Sequence, residues 1–290
     1  MRSQAADYDL VRPGSLAAVL TLLAHEPGQY TPIAGGTELM VQFGAGRLRA
    51  RKLVDIFNLP ELTGITVSDS EITIGAATTY TAIRRHEGIA RDLPLLARAA
   101  SWTGAIANQN RGTLGGNLVN GSPAADSPPA LLAYNADLTL TSVRGTRRQP
   151  YDTFHTGYKQ NLLAPDELIL AVHVPRVVYT HQYLRKVGPR NAQAISKVAL
   201  GAVANMCDGI LTHCRIGLAS VAHTPLRCVR TEAVLKGARI QATTIAEART
   251  ALLSEMAPID DIRSTARYRA YVGANLLEEF LTQLSPVTPT

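Results

Sequence analysis

The chain is short of cysteine, of aromatic residues and of long apolar runs. Its three cysteines, Cys207, Cys214 and Cys228, form an odd, sparse set with no C-x-x-C pair. That argues against a disulfide scaffold or a four-cysteine cluster and fits a reducing cytoplasm. One Trp and four Phe supply little surface on which nucleic-acid bases could stack. No stretch of about 18 apolar residues occurs, so no membrane span is expected, and no apolar run follows Arg2 as a signal peptide would require. His155, His181 and His223 lack paired metal-ligand spacing. Ser122 and Ser127 have no nearby histidine partner in any hydrolase triad order.

What is present is a globular balance: 290 residues, 46% hydrophobic and 18% charged, enough for two or three compact units. Net charge is +6 with pI near 9.4. The basic residues are scattered apart from Arg47 to Lys52 and Arg144 to Arg148, so solvated or partner-facing charge is expected rather than nucleic-acid binding.

Two glycine-rich segments stand out. Residues 107–137 hold Gly115-Gly116, Asn117, Asn120, a Gly-Ser-Pro turn and Asp126, followed by an apolar segment from Ala130 to Tyr134. Residues 31–39 run TPIAGGTEL, in which an apolar Ile33-Ala34 meets Gly35-Gly36 and then Thr37-Glu38. A glycine pair lets another molecule approach its N–H groups, and successive N–H groups in a tight turn make a nest for phosphate. A strand ending in a glycine pair with a helix starting at Thr points donors at one anion. Two such segments would clamp a diphosphate, whereas either alone also reads as an ordinary Gly-Asn-Pro loop. Neither follows G-x-G-x-x-G or G-x-x-x-x-G-K-[ST], so neither a Rossmann loop nor a P-loop is indicated.

Ala34-Gly35-Gly36-Thr37-Glu38-Leu39 and Thr113-Leu114-Gly115-Gly116-Asn117 resemble the two FAD-diphosphate loops of the medium subunits of molybdenum hydroxylases, the xanthine dehydrogenase and CO dehydrogenase medium-subunit family. Ser122 to Asp126, Thr156 to Lys159, Pro165 to Ile169 and Lys186 through Ile195-Ser196-Lys197-Val198 match in order, so the resemblance spans about Tyr8 to about Leu281. The Ala-Gly-Gly-Thr-Glu form is closer to the xanthine-dehydrogenase-like members. The Cys-rich insertion of the 4-hydroxybenzoyl-CoA reductases is missing.

The resemblance implies an α+β protein: a two-subdomain FAD-binding fold of the vanillyl-alcohol-oxidase type, residues 1–58 and 59–176, then a C-terminal domain, 177–290, with a three-stranded antiparallel sheet and helices. It implies non-covalent FAD held by Ile33, Ala34, Gly35, Gly36, Thr37, Glu38 and Leu39 on one side and by Thr113, Gly115, Gly116 and Asn117 on the other. Thr103 and Ile106 would wrap the adenine half, with helix-end packing as the other reading. Asp126 would hold the flavin's sugar chain; it also suits an N-cap for the helix at Pro128. Asn117 equally suits a turn and Ile169 a strand core. Lys186 would sit at the pyrimidine end of the flavin, where a cation raises its potential, unless it is exposed on an edge strand. Tyr158 would screen one flavin face. The implied partners are a large molybdopterin subunit and a small subunit with two [2Fe–2S] clusters, in a dimer of heterotrimers. This chain would then pass electrons from those clusters through FAD to an external acceptor. A free-standing FAD-dependent oxidoreductase of the same fold is the alternative.

Period and punctuation give the elements. Ser15 caps a helix with apolar positions from Leu16 to Leu23. A helix from Thr37 to about Phe43, a hairpin around residues 68–70 and a single Ala-rich helix from Pro94 to Ala107 follow. Residues 155–165 read as a loop. Asp208-Gly209 is a hairpin turn, and residues 285–290 a loose tail.

Overall fold

The computed structural model describes residues 4–190 and 193–284. The expected tail, 285–290, lies outside them. Among the described residues three larger sheets follow one another along the chain, with a two-stranded hairpin beside them, and three buried clusters pack against them.

The first is parallel. Strand β1 (Asp9–Val11) leads to helix α1 (Leu16–His25), then β2 (Tyr30–Ile33), α2 (Leu39–Gly44) and β3 (Lys52–Asp55), with β3 between the other two. Ser15 caps α1 by accepting from the Ala18 N–H, a contact worth about 1 kcal/mol. Val19, Leu20 and Leu23 are buried on the inward face of α1. The basic run from Arg47 is partly engaged here: Arg51 lies over the Tyr8 ring at 4.7 Å and Lys52 pairs with Glu26 at 2.6 Å.

The second sheet is antiparallel. It collects β4 (Ile65–Val67), β5 (Glu71–Gly75), β6 (Asp137–Ser142), β7 (Gly145–Pro150) and β10 (Leu168–Pro175) in the order β4-β5-β10-β6-β7. Its last strand in sequence is therefore its centre, consistent with the burial of Leu168, Ile169, Val172 and Val174. Between β5 and β6 run α3 (Tyr80–Arg85), α4 (Glu87–Asp92), α5 (Pro94–Trp102), α6 (Ile106–Gln109), α7 (Leu114–Asn120) and α8 (Pro128–Ala133). The single helix expected from 94 to 107 is broken, because Thr103 is extended and Gly104 takes φ +64°. Residues 155–165 are not plain loop: β8 (His155–Gly157) and β9 (Gln160–Asn161) form a small hairpin. Arg144, Arg147 and Arg148 all face acids, Asp166, Glu167 and Glu71, so that basic run is internally neutralised.

The third sheet has four antiparallel strands, not three: β11 (His181–Val187), β12 (Val198–Cys207), β13 (Ile210–Ala219) and β14 (Leu226–Arg227). Strand β14 has only two residues, too few to show an alternation, and pairs with Gly217 and Leu218. Asp208 and Gly209 turn β12 into β13 with φ +51° and +74°, as a tight primed hairpin turn requires. Helices α9 (Val229–Leu235), α10 (Ala242–Glu255) and α11 (Ala266–Leu284) cover this sheet, burying Leu252, Leu277, Phe280 and Leu281 with Val198 and Leu200. Among the described residues no helix is long and apolar enough to cross a membrane.

Candidate functional site

A cavity of about 880 Å³ runs between the first two sheets and reaches the β11–β12 connection, at the upper end of the usual size for a cofactor pocket. Ala34 to Leu39, Thr103, Thr113, Gly115, Gly116, Asn117, Asp126 and Ile169 all line it. Ile33, Ile106 and Lys186 do not. Ile33 lies underneath, its side chain beside Gly36. Ile106 opens α6 and is 54% exposed. Tyr158 stands 64% exposed in the β8–β9 turn, outside the wall.

The first glycine segment is a nest. The N–H groups of Gly35, Gly36, Thr37 and Glu38 have no acceptor among the described residues. Residues 37 and 38 form a turn, so α2 starts at Leu39 rather than Thr37; a helix's first-turn N–H groups have no intrahelical partner in either case. Gly36 takes φ +74°, which an L side chain resists. Gly35 is needed for a different reason: a Cβ there would stand 1.7 Å from the Arg111 carbonyl oxygen. The two glycine segments therefore touch backbone to backbone. Glu38 turns its carboxylate away, to Gln42 at 3.1 Å and Lys159 at 3.4 Å.

The second segment differs from the expected donor loop. It is the helix α7, capped by Thr113, and its first donors are already used. Leu114 N–H donates to Thr78 O, Gly115 N–H to Ala76 O at 2.8 Å, and Gly116 N–H to Thr113 Oγ1 at 3.2 Å. The space beside Gly115 is filled by Ala76, not left open. What this segment offers the cavity is the Asn117 side chain, whose NH₂ has no acceptor among the described residues.

Asp126 is not a helix cap. Ser127 takes the N-cap position of α8 and makes no capping bond. Asp126 instead receives the Lys186 ammonium on Oδ2 at 2.7 Å and the Ser196 hydroxyl on Oδ1 at 2.8 Å. Lys186 also donates to the Trp102 carbonyl at 3.2 Å. Burial lifts the Asp126 carboxyl above its ordinary range, opposed by Lys186 and Ser196. The ammonium is thus neither exposed nor in the wall; it stands behind the carboxylate. Ile169 is 4% exposed and sits where β10 bulges against β6, next to the Leu170 carbonyl that accepts from Ala76. Sequence reading missed Tyr80 and Ser196, both buried, Tyr80 in the wall and Ser196 on Asp126. Ser196 lies within the matched run Ile195-Ser196-Lys197-Val198, which assigns it no role, and Tyr80 carries no local signal.

No Lys or Arg lines the cavity among the described residues. An anion there would be met by backbone N–H groups and by Thr and Asn side chains, as in a phosphate nest. The wall is mixed: apolar Leu39, Leu168 and Ile169 line it together with the free donors of residues 35–38 and the Asn117 amide, which suits a dinucleotide carrying a flat ring system.

Comparison with known proteins identifies the family. Residues 6–177 match the FAD binding domain in molybdopterin dehydrogenase, and residues 183–284 the CO dehydrogenase flavoprotein C-terminal domain. The chain is 33% identical over 275 residues to the xanthine dehydrogenase FAD-binding subunit of Escherichia coli O157:H7, covering 94% of each. It is 28% identical over 270 residues to the carbon monoxide dehydrogenase medium chain of Afipia carboxidovorans, covering 93% of this chain and 94% of that one. A solved carbon monoxide dehydrogenase from Hydrogenophaga pseudoflava, one lacking the Mo-pyranopterin moiety, superposes with TM-score 0.92 at 28% identity over 97% of this chain and 98% of the other. The chain belongs to the family of FAD-binding medium subunits of molybdopterin-dependent dehydrogenases.

Proposed function

We propose that this chain binds FAD non-covalently in the 880 Å³ cavity and serves as the electron-transfer subunit of a heteromeric molybdenum-containing hydroxylase. The observation that carries the reading is the run of four N–H groups, Gly35 to Glu38, unspent among the described residues and opening on a cavity that no described Lys or Arg lines. Those donors, with the Thr37 hydroxyl, offset the diphosphate charge. Asn117 and Asp126 hold polar edges of the ligand, Thr103 its adenine half, and Ile169 the apolar ring. Lys186 does not touch the ligand in this reading; it acts through Asp126, offsetting the charge of the carboxylate that faces the cavity. The divisions 1–58, 59–176 and 177–290 are the corresponding units, each built on one of the three sheets.

The chemistry the flavin supplies when bound is electron exchange between a partner's [2Fe–2S] clusters and an external acceptor. The partners in this reading are a large molybdopterin subunit, which selects the substrate, and a small iron–sulfur subunit, arranged as a dimer of heterotrimers.

The test is a visible spectrum of the chain purified with its partners, repeated on the filtrate after heat release. Flavin bands in the filtrate with iron–sulfur absorbance in the co-purified fraction are the expected result. Failure to bind flavin even after FAD is added back overturns the reading. Substrate turnover by the isolated flavin-loaded chain would move it to a free-standing oxidoreductase.

A further inference from the structure

Three side chains at the cavity wall form a line that has no part in backbone pairing, with Tyr80 and Asn117 in the lining and buried Ser127 between them. The Tyr80 phenol oxygen stands 3.2 Å from Ser127 Oγ, and Ser127 Oγ stands 2.8 Å from Asn117 Oδ1. Tyr80 is 2% exposed and Ser127 is fully buried. Ser127 occupies the N-cap position of α8, where a serine ordinarily accepts from a backbone N–H. Here the first two helical residues are Pro128 and Pro129, which have no N–H, and no capping bond forms. The hydroxyl is spent on Asn117 instead.

A hydroxyl has one proton to give and lone pairs to receive. With the phenolic proton directed at Ser127, the serine proton goes to the Asn117 carbonyl oxygen. The carboxamide is then held with its oxygen turned inward, and its NH₂ is the face left for the cavity. Burial pushes the Tyr80 phenol well above its ordinary range, against the pull of side-chain contacts with Ser127 and Thr103, so it stays protonated.

We infer that Tyr80 and Ser127 are positioning residues that lock Asn117 as a donor-only contact, selecting an acceptor oxygen of the bound dinucleotide at that point in the cavity. This rests on the FAD reading above and adds which way the Asn117 amide faces and what holds it there. An unlocked amide would rotate and offer donor or acceptor alike. The locked one rejects a hydroxyl that must donate.

The test is FAD affinity of the full-length apoprotein, measured by flavin fluorescence quenching, with thermal melting of each apo variant alongside. Asn117→Asp keeps the acceptor for Ser127 but replaces the donor face with an anion. Its Kd rises at least tenfold at pH 8, and recovers as pH falls below about 5, where the new carboxyl takes up a proton. Ser127→Ala frees the amide and raises Kd about tenfold, Ser127→Thr restores the hydroxyl and most of the affinity, and Tyr80→Phe falls between. A merely structural role would lower the melting temperature without the pH recovery or the threonine rescue. If wild type binds FAD while Asn117→Asp and Ser127→Ala both bind within twofold of it, the inference is wrong. Tighter binding by Asn117→Asp would show the reverse polarity and overturn it too. A wild type that binds no FAD removes the reading of the cavity itself, and this inference with it.

Discussion

Replacing Gly35 by alanine should damage this protein through a contact between two chain segments. Gly35 is not in the left-handed region, so an alanine meets no backbone penalty there. The added Cβ would lie 1.7 Å from the Arg111 carbonyl oxygen, 2.4 Å from its carbon and 3.0 Å from Gly112 N. Restoring an ordinary contact of roughly 3.5 Å means parting the two backbones by about 1.8 Å. The Arg111 segment resists. Its guanidinium lies over the Phe57 ring at 4.1 Å, Gly112 N–H donates to Asn108 O at 2.6 Å, and Gly112 O accepts from Tyr80 N–H at 3.0 Å. Overpacking against such a wall costs about 3 kcal/mol, the upper end of the usual range. Urea melts of the apoprotein should show that loss, and bound flavin should fall well below one per chain. Gly36→Ala is the control with a different cause. Its Cβ meets nothing nearer than Met40 at 3.4 Å, but its φ of +74° costs about 1–2 kcal/mol. A Gly35→Ala protein with apo stability within about 0.5 kcal/mol of wild type and a full flavin complement would refute the description of the two segments as touching.

Three further outcomes follow from the same structure. Lys186→Met strands the buried Asp126 carboxylate and should cost about 3 kcal/mol at pH 7, with Asp126→Asn in the same chain recovering most of it; simple additivity of the two in urea melts would argue against the pair. The Arg147 guanidinium holds the Glu167 carboxyl down to about 2, so its folded pKa lies below its ordinary 4.5. That stabilisation is complete above about pH 4.5 and is lost as pH falls through about 2. It is worth roughly 2 kcal/mol after discounting for the half-exposed arginine. The stability difference between wild type and Glu167→Gln should shrink over that window, and a constant difference would contradict it. Native protein should react quickly with a thiol reagent at the exposed Cys207 and at Cys228 only after unfolding, since burial pushes the Cys228 thiol far up; fast labelling of Cys228 in the folded state would show the third sheet to be looser than described.

Much of this protein is legible one short segment at a time. The Ser15 cap, the Asp208-Gly209 turn and the apolar stripe of α1 all depend on neighbours a few residues away. So do the two glycine motifs and their ordered companions, which carry the family resemblance. Other features depend on partners far along the chain, and the local pattern misleads there. Gly115-Gly116 looks like an open donor loop, but Ala76 and Thr113 consume its donors. Asp126 looks like a cap, but it is held by Lys186 and Ser196, 60 and 70 residues on. The position of β10 at the centre of its sheet, and the two-residue β14, are set by which edges remain unpaired once the other strands have met. Sequence alone determined the family and, through it, the cofactor class, and it pointed to segments that line the cavity. Only the tertiary structure decided which N–H groups stay unspent, because a donor's availability depends on whether some distant carbonyl has already reached it.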